Sequence, residues 1–202
     1  PLQLRARATR QALLNAAAAQ FNQAGYAASS INDILASTTS SKGAIYFPFP
    51  SKQAMAEHLL DSWAAAARDI IALAASTGEP AERRIVLIYR ETARRVQEDH
   101  TLRAGLILSL EPTIDTAANV YRTWIDALNA VVVDAVRAGG IDYCTAGTSR
   151  LAESLCAGFI GAVHVANALR EPEAISRRVD DLLMLWLGTD PAAEPNVQAV
   201  AL

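Results

Sequence analysis

The sequence predicts an all-α protein of about nine helices, and three observations support this fold class. Apolar residues recur at helical spacing along most of the 202 residues. Helix start and stop signals are frequent: capping serines, glycines that follow apolar stripes, and prolines. A convincing strand pattern is missing, since even the valine-rich run AVVVDAV at 130–136 lies inside a longer helical period.

Three short helices are predicted in the first fifty residues. The first covers about 4–24, and Gly25 is its stop signal. Ser30 caps the second, and Asp33 three positions later completes a capping box. A polar turn, STTSS, leads to a third helix over 41–47, where Pro48 and the second proline after it prevent continuation. This arrangement predicts a helix-turn-helix module.

Six longer helices follow and form a helical body. Ser51 caps the first of them, Pro80 suits the first turn of the next, and Gly139 ends the fourth. Their predicted positions are 51–75, from 80, around 102–110, 115–138, 145–170 and 172–187. The last residues lack periodicity, so we expect a mobile tail. The predicted domains are 1–50 for a helix-turn-helix, 51–188 for the body and 189–202 for the tail.

Composition and reactive residues argue against several classes of protein. With 51% hydrophobic and 19% charged residues, we expect a soluble cytoplasmic protein without a membrane span. Cys144 and Cys156 lack metal-ligand spacing and are expected to be reduced thiols, with a disulfide as the alternative. The three histidines are scattered. We therefore predict no metal, no cofactor and no catalytic constellation; a helical enzyme for a small hydrophobic substrate is the alternative class.

Charge is distributed unevenly along the chain. Residues 1–52 carry five cationic side chains against Asp33 alone, whereas the remainder carries 13 arginines against 20 acidic residues. A basic first module on an acidic body suggests a polyanionic partner for that module. On charge alone, a chance run of surface charge is an equal alternative.

The predicted DNA contacts cluster around the third helix. Small or polar side chains let a recognition helix approach base edges, and Phe49 with Ile45 would anchor it. Lys52 opposes the dipole of the helix it begins, a conflict that a bound phosphate would remove. Both lysines of the chain flank this segment. The predicted contacts are Arg10, Ser30, Thr39, Ser40, Ser41, Lys42, Gly43, Ala44, Tyr46 and Lys52.

About fifty N-terminal residues resemble the DNA-binding domain of TetR-type transcriptional repressors. The resemblance lies in a helix ending with an aromatic and then Gly-Tyr, a Ser-capped helix, and the spacing Lys-Gly-x-x-Tyr-Phe-x-Phe-x-x-Lys. It implies a homodimer on a pseudo-palindromic duplex. Pro48 departs from the family, which commonly has a ring residue such as histidine there, so a contact from that side chain is lost.

The body resembles the γ-butyrolactone autoregulator receptors of that family through LRAGLILSLEP and YRTWIDALNAVVVDAVRAGGI. This implies release from DNA by a diffusible lactone, butenolide or furan signal that controls secondary metabolism. It also implies that Trp124, on an apolar stripe that otherwise reads as core, lies in the ligand cavity. The expected lining residues are Trp124, Trp63, Tyr89, Leu106, Leu110, Leu128 and Phe159.

The resemblance further implies dimerisation through the last two helices, about 145–170 and 172–188. Gly158 and Gly161 would allow helices to approach closely or leave room for ligand. A closer alternative keeps DNA binding but changes the effector to a drug-type or fatty-acyl ligand, or to none.

Overall fold

A computed structural model describes residues 2–38, 49–139, 141 and 147–187 of the chain. Within these residues the protein contains eight α-helices and one short 3-10 helix, and no strand. The predicted all-α class is therefore confirmed, while the predicted helix at 41–47 lies outside the described residues. The helices are α1 Leu2–Ala24, α2 Ile31–Ala36, α3 Lys52–Ser76, α4 Ala81–Glu98, α5 His100–Leu108, α6 Ala117–Arg137, α7 Thr148–Leu169 and α8 Ile175–Leu187, with the 3-10 helix Pro172–Ala174 before α8.

Local signals set several helix ends as the sequence predicted. Gly25 and Gly139 follow α1 and α6 with positive φ of 81° and 74°, a conformation that glycine adopts without steric cost. At α2 the capping box is complete: Ser30 Oγ accepts from the Asp33 amide at 3.2 Å, and the Ser30 amide donates to Asp33 Oδ2 at 3.0 Å.

A single aspartate sets the boundary between α4 and α5. Asp99 ends one helix and caps the next, because its Oδ1 accepts from the amides of Thr101 at 2.7 Å and Leu102 at 3.3 Å. The helix expected to carry Leu102, Leu106 and Leu110 therefore begins at His100, and it ends at Leu108, before Leu110. An aspartate cap lets one helix follow another without glycine or proline between them.

The chain forms two compact units, which we call the first and second unit. The first unit comprises Pro1–Ala65 and Glu98–Tyr121, and the second comprises Ala66–Gln97 and Arg122–Leu202. Residues 98–121 join the first unit because α5 packs along α1. The predicted boundary near residue 50 thus lies inside the first unit, and the assignment of functions to the predicted domains stays a prediction.

Close contacts hold α5 within the first unit. Asn22 Nδ2 donates to the His100 carbonyl at 2.8 Å, and His100 Nε2 lies 3.3 Å from the Asn15 carbonyl oxygen. Gly105 lets the backbones of α5 and α3 touch, since a Cβ on it would overlap the Leu59 carbonyl oxygen and lie 2.7 Å from Trp63 Cβ. The packing of α5 on α3 therefore requires a glycine at position 105, which is the glycine of the Arg-Ala-Gly-Leu segment.

In the second unit, α8 is bound to α4 and α7. Arg90 Nε donates to Asp180 Oδ1 at 2.8 Å, which joins α4 to α8. A Cβ on Gly158 would lie 3.2 Å from a methyl group of Leu182, so this glycine permits the close approach of α7 and α8. The expectation of close helix approach is confirmed for Gly158, whereas a Cβ on Gly161 would meet open space.

Candidate DNA-binding and ligand-binding sites

Three of the predicted DNA contacts, Arg10, Ser30 and Lys52, lie in the described part of the first unit. Ser30 is exposed, but its hydroxyl is already used by the capping box and also donates to Asp33 Oδ2 at 2.6 Å. The other seven lie outside the described residues: Thr39, Ser40, Ser41, Lys42, Gly43, Ala44 and Tyr46.

Lys52 has partners within the protein. Its Nζ donates to the carbonyl oxygens of Tyr26 at 2.8 Å and Ser29 at 2.9 Å, and it lies 4.1 Å from the centroid of the Tyr26 ring. Lys52 is the first residue of α3, where a cation opposes the helix dipole. Two carbonyl oxygens and an aromatic face therefore stabilise the ammonium at this position without a bound phosphate.

The same contacts give Lys52 a structural effect within the first unit. Tyr26 and Ser29 belong to the turn before Ser30, so the ammonium fixes the start of α2 against the start of α3. An ammonium has three N–H donors, and two of them are used here. A phosphate contact by Lys52 therefore stays a prediction, and only the third N–H can serve it.

Arg10 also contacts groups inside the first unit. Its two terminal nitrogens lie 3.3 and 3.2 Å from the ring nitrogens of His58, and its guanidinium carbon lies 4.8 Å from the Phe49 ring centroid. A neutral imidazole has one acceptor nitrogen, so one hydrogen bond forms at a time. Phe49 is 3% exposed, while Ile45 and the predicted helix that the two residues would anchor lie outside the described residues, so the anchoring role stays a prediction.

The environment of His58 favours its neutral form. Burial lowers the pKa of His58, the Arg10 charge lowers it further, and Asp61 opposes both effects. The neutral ring can accept from Arg10, whereas a protonated ring would repel it. This contact therefore depends on pH.

The predicted ligand residues are divided between the two units. Trp63, Leu106 and Leu110 lie in the first unit, and the second holds Tyr89, Trp124, Leu128 and Phe159. Six of the seven are buried, and Leu110 is exposed. These seven residues are not all brought together within either unit.

Three of the second-unit residues form what we call the aromatic cluster: Tyr89, Trp124 and Phe159. The Phe159 ring centroid lies 5.7 Å from that of Tyr89 and 5.8 Å from that of Trp124, both edge to face. Each ring is at most 3% exposed. The cluster thus joins α4, α6 and α7 as closely packed core, and its contact with a ligand stays a prediction.

Cys156 lies against this cluster. Its Sγ is 3.5 Å from the Tyr89 hydroxyl, and burial raises the pKa of the thiol to about 11. The thiol is therefore neutral and unreactive at physiological pH. Cys144 lies outside the described residues, and within those residues no group of three or more His, Cys, Asp and Glu side chains could hold a metal ion.

The second unit also contains a cavity of about 350 Å³ that none of the predicted ligand residues lines. We call it the α3–α4–α6 cavity, after the helices that form it. Most of its walls are apolar, and four of its residues are alanines, whose small side chains leave space between helices. It is lined by Ile71, Ala74, Ala75, Arg84, Ile88, Ala127, Ala130, Val131 and Asp134.

An apolar surface runs over the exposed sides of α7 and α8. Leu185 is 81% exposed, and four further large apolar side chains are exposed with it: Val165, Leu169, Met184 and Trp186. By length and composition α7 could cross a membrane, but core helices of soluble proteins pass the same test. Two of these side chains lie near the end of α7 and three near the end of α8.

Comparisons with known proteins agree with the resemblance found in the sequence. The profile described as bacterial regulatory proteins, tetR family, matches residues 13–59. The A-factor receptor protein of Streptomyces griseus is 30% identical over 125 residues, or 62% of this chain. That match spans 43% of the relative, so the chain corresponds to less than half of its length.

Two solved structures have the same fold. A γ-butyrolactone receptor described as ArpA-like has a TM-score of 0.76 at 24% identity, covering 90% of this chain and 87% of that one. CprB from Streptomyces coelicolor, a TetR family protein solved with its operator sequence, has a TM-score of 0.76 at 24% identity, covering 91% and 88%. The resemblance to TetR-type regulators, and among them to γ-butyrolactone receptors, is confirmed.

Proposed function

We propose that the protein is a ligand-responsive transcriptional repressor that binds a pseudo-palindromic operator as a homodimer. A γ-butyrolactone, butenolide or furan-type signal releases it and thereby controls secondary metabolism. The observation that carries the proposal is the tetR-family match over residues 13–59, which coincides with a module whose first helices are capped and tethered. The cationic excess of residues 1–52 suits a phosphate backbone.

For DNA binding, we assign base readout to Thr39 through Ala44 and phosphate contacts to Tyr46 and Lys52. Arg10 and Ser30 would complete the set of contacts. The tether from Lys52 supports this assignment because it holds the turn before α2 in a defined position relative to α3. A fixed module is needed if two recognition helices are to enter grooves at a set spacing.

The homodimer would form through α7 and α8, in the region 145–170 and 172–188. The exposed Val165, Leu169, Met184, Leu185 and Trp186 support this interface, because a second copy would remove them from water.

The class of effector rests on the relatives, whose names include a γ-butyrolactone receptor and an A-factor receptor. The effector must bind the DNA-incompetent state more tightly than the competent one, since equal affinity shifts nothing. A drug-type or fatty-acyl effector, or no effector, is the alternative, and the experiment below distinguishes these possibilities.

The test selects duplexes from a randomised library with the full-length protein and then measures binding of the selected duplex by fluorescence anisotropy. We expect a pseudo-palindrome bound by a dimer, and release by alkyl γ-butyrolactones or furans at lower concentration than by fatty acids or planar drugs. Failure to select any duplex would contradict the repressor function. Release by fatty acids or drugs alone would contradict only the lactone assignment.

A further inference from the structure

We infer that the α3–α4–α6 cavity is a binding site for a small, uncharged, amphipathic molecule whose carbonyl oxygen accepts a hydrogen bond from Arg84. The inference deepens the proposed function by placing the effector, and it rests on that function only for the consequence of binding. The volume of the cavity, about 350 Å³, is at the lower end of the range for small-molecule pockets.

The walls of the cavity suit an apolar body. Ile88 and Val131 are buried, and Ala74 is buried on the side of α3. Ala127 and Ala130 lie one turn apart on α6 and add only methyl groups. A ring or short alkyl chain filling this space would leave water for apolar contact on three helices of one unit.

Arg84 provides the polar end of the site. Arg84 lines the cavity, and its separation from Asp134 exceeds hydrogen-bonding distance. Its terminal N–H groups can therefore donate to an acceptor that enters the cavity. A carbonyl oxygen is an uncharged acceptor that an otherwise apolar molecule can present there.

Asp134 determines the charge that the site accepts. Its Oδ2 lies 3.7 Å from Arg84 Nη2, and its side chain is 58% exposed, while that of Arg84 is 23% exposed. The carboxylate already balances the guanidinium charge, so a ligand carboxylate would meet Asp134 as well as Arg84. An uncharged carbonyl compound avoids that repulsion, and a hydroxyl on it could donate to Asp134.

This site differs from the position that Trp124 would give the effector. The aromatic cluster is filled by its own edge-to-face contacts, whereas the cavity is lined by other positions of α4 and α6 together with residues of α3. Ile71 and Ala74 belong to α3, the helix whose first residue is Lys52. A ligand in the cavity therefore contacts the helix that also holds the start of the DNA-binding module.

The experiment measures binding of γ-decalactone and its ring-opened form, 4-hydroxydecanoate, to the full chain by calorimetry. We expect the lactone to bind more tightly. Arg84→Met should weaken lactone binding about tenfold or more, as expected when a charged donor is lost. The matched control is Arg83→Met, which removes a neighbouring arginine whose side chain is 60% exposed and pairs with Glu79.

Two further variants test the shape and charge of the site. Ala130→Leu places added bulk at an exposed lining position and should weaken binding without touching a polar group. Asp134→Asn frees the Arg84 charge and should reduce or reverse the preference for lactone over hydroxy acid. Circular dichroism verifies that each variant is folded.

Equal lactone affinity in the Arg84→Met and Arg83→Met proteins would overturn the inference, as would failure of the parent to bind lactone. Operator binding is measured separately. If lactone releases the operator equally well from the parent and from Arg84→Met, the proposed function stands and this site falls. If only Arg84→Met loses lactone binding, but lactone never releases the operator from the parent, the site stands and its effector role falls.

Discussion

The two units hold their cationic side chains in different ways. In the first unit, Lys52 is bound by two carbonyl oxygens and an aromatic face, and Arg10 by an imidazole and a phenyl ring. In the second unit, Arg84 and Arg90 are bound by carboxylates. Neutral partners fix a cation without cancelling its charge, whereas carboxylates fix it and cancel it.

This difference suits the two proposed tasks. A module that binds DNA needs positive charge that remains available to phosphates, and its side chains must still be held in place. A unit that binds an uncharged ligand and pairs with a second copy gains from cancelled charge. The experiments that follow test the contacts that hold each unit, from the largest expected effect to the smallest.

The largest effect is expected in the aromatic cluster. Trp124→Ala should lower the free energy of unfolding by about 3–5 kcal/mol, because a buried ring in edge contact with Phe159 is removed. Trp124→Phe should cost less, since a ring remains. Urea denaturation measures both. A Trp124→Ala protein as stable as the parent would show that the cluster does not stabilise the second unit.

The next effect concerns the helix contact in the first unit. Gly105→Ala should lower the free energy of unfolding by about 1–3 kcal/mol, since the new Cβ would overlap the Leu59 carbonyl. Gly161→Ala is the control, because its Cβ would meet nothing within 4 Å. If urea denaturation gives the two variants the same stability, α5 does not pack on α3 as closely as described.

A paired substitution compares the two kinds of cation directly. Lys52→Met and Arg90→Met should each lower the free energy of unfolding by about 1 kcal/mol. The loss in Arg90→Met should shrink at high salt, because an ion pair is screened, while the loss in Lys52→Met should change little. Equal salt dependence in urea denaturation would remove the distinction between the units.

Operator titrations on Lys52→Met add a second measurement. If Lys52 contacts a phosphate, its loss should reduce the salt slope of binding by about one unit. Weaker binding with an unchanged slope would mean that Lys52 only positions the module.

The smallest effect is a pH dependence at His58. Its pKa is lowered in the folded protein by burial and by Arg10, so the folded state binds fewer protons there than the unfolded state. The resulting stability is present above the unfolded pKa and is lost as pH falls through the folded pKa. His58→Gln should flatten the stability curve over mildly acidic pH. An identical curve for parent and variant would show that His58 contributes nothing to it.

The sequence predicted the features that depend on neighbouring residues. The box of Ser30 and Asp33 and the stop at Gly25 involve residues at most a few positions apart, so their geometry follows from local pattern. The partners of Lys52 lie 23 and 26 residues away, beyond any local pattern. For the same reason, the sequence did not predict that residues 98–121 pack with the N-terminal part of the chain in the first unit.

The cavity was missed for a different reason. Four of the seven predicted ligand residues are aromatic, but the three of these that lie in the second unit fill space by packing on one another. The cavity forms where side chains are small, at Ala74, Ala75, Ala127 and Ala130. Alanines on the facing sides of three helices were the available signal, although alanine is so common here that the signal is weak.

The buried thiol of Cys156 can report how often the second unit opens. The thiol is neutral in the folded state and lies on the buried side of α7. A thiol reagent can therefore reach it only when the surrounding helices separate. The rate of labelling at Cys156, followed by peptide mass spectrometry, would therefore count opening events of this unit alone. Slower labelling in the presence of a lactone would report binding to the unit without any operator in the assay.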